Sequence, residues 1–350
     1  MLPITSWRSK LTELIRLAHG SGSGLSQRLL RDVFLRHLND PELARMVDSA
    51  VLVPPEELCH GGRVAFTTDS YVISPLEFPG GDIGKLAVCG TINDLAAVGA
   101  RPLWLSAGWV LEEGLPIEVL ERLVTSMAKT AAQAGVRLVT GDTKVVPHRL
   151  ADGVYVNTAG VGLVPAGRYL GVEQITDGDV ILVSGTLGDH GMAVMMVRQG
   201  ISMSSELKSD CTPLHSLVEA LFAAGVGVHC LRDATRGGVA GILCELAEAS
   251  HLGIELDEVK LPFRPEVAAA CEMLGLDPLF VANEGKMVAL VAATDAERAL
   301  STWRASDQGR EAALIGRVTA CHPGQVVMRT RLGTGRLIRM PMGELLPRIC

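Results

Sequence analysis

Apolar positions along the chain follow two periods. Over 25–39 they recur at 25, 29, 30, 33, 34 and 38, the spacing of one helix face. Over 117–134 the same spacing returns with Ile117, Leu120, Val124, Met127 and Ala131. Further helices are expected over 82–98, with Asp82 as N-cap, and over 192–199, 214–224, 239–249 and 266–274. Alternation marks a strand over 63–69, where Val64, Phe66 and Thr68 share one face. Apolar runs predict strands over 103–110, 136–140, 154–163, 180–185, 286–292, 313–319, 325–330 and 335–340. A turn-rich stretch over 165–179 reads as a domain boundary. Neither half alternates strictly between strand and helix, so both are expected to be α+β rather than doubly wound. Residues 341–350 have no period and read as an extended tail.

Composition narrows the class. The chain has 350 residues, about two domains' worth, and 48% of them are apolar, which excludes disorder. Its net charge of −7, with no basic block, argues against nucleic-acid or anionic-membrane partners. No apolar run approaches the ~18 residues of a membrane span, and no apolar stretch follows the early basic residues as in a signal peptide. Eight cysteines never form a CxxC pair and mostly sit singly in apolar stretches. That pattern suits reduced thiols and a cytoplasmic protein. Cys350 departs from it, because it is the last residue.

Two glycine-rich motifs fail as nucleotide sites. Gly80, Gly84 and Lys85 have one residue too few between the glycines for a P-loop, and Leu86 stands where a hydroxyl residue should hold magnesium. The run 185–191 spaces its glycines as GxxGxxG, not as the dinucleotide fingerprint. It reads as a turn gripping a helix N-terminus, a place where anion contact is also feasible.

Aspartates at strand ends carry more. Asp69, Asp142 and Asp233 each end an apolar run and precede a hydroxyl residue, and Asp94 lies in a predicted helix. Singly, each is a turn or cap residue. Together they are the hard oxygen donors that magnesium on a nucleotide triphosphate requires. Lys144 and Arg236 follow two of them closely and are candidate phosphate-charge partners. Glu284 lies between apolar strands, either as a turn residue or as a pocket carboxylate fit for proton transfer.

The stretches HGSGSG at 19–24, TTDSYVISPLEFPGGDIGKLAVCGTINDLAAVGA at 67–100, GDTKVV at 141–146, DATRGG at 233–238, ANEG at 282–285 and the terminal PRIC resemble the HypE family of hydrogenase maturation factors, the carbamoyl dehydratases. One departure is Gly22-Ser23-Gly24, where paired glycines are expected. The resemblance implies an α+β, two-domain fold like aminoimidazole ribonucleotide synthetase (PurM-like), with N-terminal domains pairing into a β-barrel across a homodimer and a flexible C-terminal tail. The expected division is 1–40 for a Gly-rich segment and helix, and 41–165 for an ATP-binding and dimerisation domain. A C-terminal domain then spans 166–340, and a mobile tail with Cys350 spans 341–350.

The same resemblance implies the chemistry. The carbamoyltransferase HypF loads Cys350 with a carboxamide. ATP activates its oxygen, loss of phosphate leaves a thiocyanate, and the cyanide passes to iron on a HypC–HypD scaffold. Asp69, Asp94, Asp142 and Asp233 are then the Mg²⁺ and phosphate groups, with Thr143, Thr235 and Arg236 beside the nucleotide. Lys144 and Glu284 manage the carboxamide protons. His19 and its glycines form a cover. Two alternatives stand beside this: another ATP-using enzyme of the fold, of the selenophosphate synthetase or thiamine-phosphate kinase type, or a non-catalytic carrier of the group on Cys350.

Overall fold

The computed structural model describes residues 13–20, 24–45, 50, 52–201, 207–340 and 349–350. Most of the expected tail, 341–348, and the centre of the 19–24 motif lie outside them. Helices α1 (Gly24–Leu29) and α2 (Arg36–Leu38) flank a wider π-helical segment, Leu30–Leu35, and together match the periodic stretch at 25–39. Strand β1 (Arg63–Tyr71) follows. The short hairpin β2 (Glu77–Phe78) and β3 (Gly81–Asp82) then leads into α3 (Ile83–Ala97).

Asp82 caps α3 as expected, accepting from the backbone N–H of Gly84 and Lys85 at 2.8 and 3.0 Å. The glycine at 84 has a packing reason. A Cβ there would lie 2.2 Å from the Leu123 carbonyl oxygen of α4 (Ile117–Gln133). The last glycine of the failed P-loop, Gly84, thus lets two helices approach closely.

Strands β4 (Arg101–Glu112), β5 (Arg137–Val146) and β6 (Val154–Val164) complete a four-stranded sheet in the order β1-β6-β4-β5. Only β4 and β5 run parallel. Helices α3 and α4 cover one face, where Leu86, Leu120, Leu123 and Met127 are fully buried. Each such side chain contributes about 1.5–3 kcal/mol of apolar burial. On the other face Val64 and Phe66 are 59% and 71% exposed.

The second half holds a seven-stranded sheet. Its strands are β7 (Val180–Val183), β8 (Val228–Asp233), β9 (Gly253–Asp257), β10 (Met287–Val291), β11 (Ala313–Thr319), β12 (Val326–Arg329) and β13 (Gly335–Ile338), in the order β13-β12-β9-β11-β7-β10-β8. Helices α5 (Asp189–Arg198), α6 (His215–Ala223), α7 (Gly238–Ser250), α8 (Pro265–Leu274) and α9 (Ala296–Arg304) accompany it. Apolar periodicity missed β9 and α9, because α9 buries only Ala296, Ala299 and Trp303 within a polar helix.

The halves share one core. The cluster around α3 and α4 continues through Met192, Val267, Cys271 and Val281 to Ile349. Asn93 on α3 ties the junction, donating to the Thr212 carbonyl at 3.2 Å and accepting from the Leu214 N–H at 2.8 Å. No helix among the described residues is long and apolar enough to cross a membrane.

Candidate active site

The junction brings together carboxylates that are far apart in sequence. Asp69 lies near the end of β1, and its carboxylate accepts from the Ser70 N–H at 2.7 Å. Asp94, on the last turn of α3, accepts from the Thr67 hydroxyl at 2.8 Å. Asp233 ends β8, which packs beside α3. Burial, with Asp69 as a further negative neighbour, raises the Asp94 pKa. Burial, followed by the charge of Asp94, pushes Asp233 up to about 7.

Glu284 stands deeper, 3% exposed. Its loop is held by its own N–H donating to the Asp210 carboxylate at 3.0 Å, and Asp210 pairs with the buried Lys286 ammonium at 3.0 Å. Glu284 Oε1 is buried and accepts no hydrogen bond. Burial first, then Cys211, Asp210, Asp233 and Asp69, raise its pKa well above the carboxylate range.

The chain terminus enters this site. Ile349 is 1% exposed within the shared core. The Cys350 carbonyl accepts from the Val72 N–H at 3.2 Å, just beyond β1. Burial raises the Cys350 thiol pKa strongly, and the charge of the neighbouring Glu284 raises it further. The Arg236 charge opposes that shift. Arg236 and Thr235 sit in the turn after β8, where Gly238 has φ of 61° and a Cβ would meet the Leu279 carbonyl at 2.4 Å. The turn therefore requires glycine there.

Asp142, Thr143 and Lys144 are not brought to this cluster within one chain. They lie on β5, the edge strand opposite β1. Lys144 pairs with Asp142 at 3.1 Å, both largely exposed. Asp142 and Thr143 instead line a cavity of about 510 Å³ with Leu30, Phe34 and Trp109. The Phe34 and Trp109 rings pack edge to face, 5.7 Å apart. His19 is buried, and its Nδ1 accepts from the Arg16 N–H at 2.9 Å.

Sequence reasoning missed four residues at the site: Tyr71, His190, Asp210 and Lys286. The Tyr71 hydroxyl is buried without a partner, against α3 at Gly90. The only signal for His190 lay in the GxxGxxG turn, which is a helix start with Gly188 at φ 81°, as the sequence predicts.

Among the described residues of this single chain, no three or more His, Cys, Asp or Glu side chains are grouped so that they could hold a metal ion. The donor chemistry nevertheless fits a hard dication. Asp69, Asp94 and Asp233 offer oxygen, and their mutual repulsion is the kind that bound positive charge relieves.

The fold and this site define a class. Residues 47–164 match the family model of the AIR synthase related protein, N-terminal domain, and residues 176–329 match its C-terminal domain. Within that class the chain is 50% identical over 337 residues to the carbamoyl dehydratase HypE of Azotobacter vinelandii, covering 96% of this chain and 97% of the relative. A crystal structure of the hydrogenase maturation protein HypE in complex with ATP superposes with a TM-score of 0.90 at 45% identity, covering 95% of this chain and 99% of that one. A HypE–HypF complex structure matches with a TM-score of 0.77 at 42% identity, covering 89% and 99%. The chain belongs to the HypE family of carbamoyl dehydratases.

Proposed function

We infer that this chain is the ATP-dependent carbamoyl dehydratase of [NiFe]-hydrogenase maturation, and that Cys350 carries its substrate. The seating of the terminal thiol beside Glu284, within the acidic cluster, carries this reading. A mere carrier needs no such cluster around its thiol, and the extent of identity with carbamoyl dehydratases disfavours the other enzymes of the fold.

The reaction begins with S–C(=O)–NH₂ on Cys350. Hydroxide is too poor a leaving group for direct dehydration. Transfer of the ATP γ-phosphoryl to the carboxamide oxygen, with loss of one N–H proton, gives an O-phosphorylated S–C(=NH) group and ADP. Loss of the second proton, with cleavage of the C–O bond, releases phosphate and leaves S–C≡N. Glu284 is the group placed to take a proton from nitrogen, since its Oε1 has no other partner. Arg236 balances negative charge beside the thiol. Mg²⁺ held by Asp69, Asp94 and Asp233 would neutralise the triphosphate.

Asp142 and Lys144 join the site from a second copy. Within one sheet β1 and β5 are three strand spacings apart, roughly 14 Å. The open face with exposed Val64 and Phe66 is the surface a homodimeric barrel would bury. The cavity shared by Asp142, Thr143 and Trp109 then holds nucleotide, its phosphates reaching toward the partner's Asp69 cluster.

Docked, the Cys350 thiol is half-buried with a raised pKa, hence a weak nucleophile. Loading by HypF therefore takes place with the terminus out of the pocket, and delivery to HypC–HypD requires the same excursion. The reduced thiols fit a cytoplasmic setting.

The test uses protein carbamoylated at Cys350, with ATP and Mg²⁺. Mass spectrometry of the C-terminal peptide is expected to show loss of one water. A carbamoyl mass that persists with ATP would overturn the dehydratase reading in favour of a carrier.

A further inference from the structure

His190 is fully buried at the N-terminus of α5, yet both ring nitrogens are engaged outside that helix. Nε2 lies 2.8 Å from the Ile349 carbonyl oxygen, and Nδ1 lies 2.7 Å from the Ser209 hydroxyl. A carbonyl can only accept, so Nε2 carries the proton. Burial holds the ring neutral, so Nδ1 accepts from Ser209. The serine is itself fixed: its N–H donates to the Pro79 carbonyl at 2.8 Å, and its oxygen accepts from the Cys211 N–H at 3.1 Å. Phe78 packs its ring edge-on to the imidazole at 5.3 Å.

The turn carrying His190 is also stitched to the loop carrying Glu284. The Gly188 N–H donates to the Asn283 side-chain oxygen at 2.7 Å, and the Gly191 N–H donates to the Ala282 carbonyl at 3.0 Å. The group that grips the terminus and the carboxyl beside its thiol therefore belong to one rigid unit.

We propose that His190 is the positioning residue of the reaction: with Ser209 behind it, it latches the penultimate carbonyl of the chain and so sets the depth at which Cys350 meets Glu284. The proposal rests on the dehydratase reading for its purpose, but the latch itself does not depend on ATP or on the carboxamide. The Ile349 side chain supplies apolar anchorage without fixing depth. The imidazole supplies the directional contact, one hydrogen bond that forms when the terminus docks and breaks when it leaves. Its strength therefore sets the balance between the loading and dehydrating positions of the thiol.

The experiment reads Cys350 alkylation by iodoacetamide in the full-length protein without nucleotide, mapped by mass spectrometry. Cys230 and Cys271, both buried elsewhere, serve as internal controls. His190→Leu keeps volume but removes the donor, and His190→Gln keeps a side-chain N–H. The leucine variant is expected to raise Cys350 alkylation about tenfold, the scale of one lost hydrogen bond to a buried acceptor. The glutamine variant is expected to recover most of the protection, and Cys230 and Cys271 to stay protected in both. The latch is refuted if His190→Leu leaves Cys350 as protected as in the wild type. It is equally refuted if glutamine behaves as leucine does, or if the control thiols open in parallel in both variants. A wild-type alkylation pattern in an enzyme that fails to dehydrate would sink the functional reading and leave the latch standing.

Discussion

Asp69 and Asp142 stand on opposite edge strands, β1 and β5, of one four-stranded sheet. Within one chain three strand spacings, roughly 14 Å, separate the two strands. The proposed site that uses both at one phosphate cluster is therefore built from two copies. Mixing Asp69→Asn and Asp142→Asn proteins tests this, because each mixed dimer has one site with both defects and one with neither. Two inactive homodimers should yield about a quarter of wild-type dehydration after subunit exchange, since about half of the dimers are mixed. Activity that stays at the level of the single variants rules the shared site out.

Asp233 has a pH signature. Its pKa is about 7 in the folded protein, against 3.8 as the ordinary value. A raised carboxyl pKa means that the folded state holds the proton more tightly than the unfolded chain. The protein loses stability as pH rises from about 4 to 7, and the loss is complete above that window. Asp233→Asn should therefore stabilise the ligand-free protein at pH 8, by on the order of 2–4 kcal/mol, and change little near pH 4. Thermal melts at the two pH values check this. Equal effects at both would mean that the charge on Asp233 is not the source.

Glu284→Gln keeps the shape of the pocket and removes the proton acceptor. Dehydration of preloaded Cys350 should slow about a hundredfold or more, with ATP affinity nearly unchanged. Single-turnover mass spectrometry, run beside a nucleotide-binding titration, separates the two. A matching loss in both would move Glu284 from proton transfer to binding.

Gly90 makes room for a buried phenol. A Cβ at this position would lie 2.2 Å from the Tyr71 hydroxyl and within 3.2 Å of its ring carbons. Gly90→Ala should destabilise the fold by about 1–3 kcal/mol, the usual range for overpacking. Adding Tyr71→Phe removes the closest atom and should recover part of that loss. Urea denaturation of the two variants reads it, and full stability in Gly90→Ala would show that Tyr71 can move freely.

Much of the secondary structure was legible because it repeats locally. Asp82 announces α3 through cap chemistry, and Ile117, Leu120, Val124 and Met127 announce α4 through spacing. Strand β9 and helix α9 were not legible, since their burial comes from distant partners. The acidic residues were readable as candidates, for Asp69, Asp142 and Asp233 each end an apolar run. Their grouping was not, because neighbouring segments carry no information about which sheet edge each will occupy.

By itself, the sequence determined the mixed α/β character, the family motifs and the PRIC segment that carries Cys350, all of which are matters of residue type and local order. Tertiary structure alone decided that Asp69, Asp94 and Asp233 meet while Asp142 stands apart. It also decided that Ile349 fills a core position and that a histidine from the glycine turn over 185–191 grips its carbonyl. The physical reason is that burial and long-range hydrogen bonds arise only when strands and helices from both halves close on one another. Those same contacts push the pKa values of the Glu284 carboxyl and the Cys350 thiol upward.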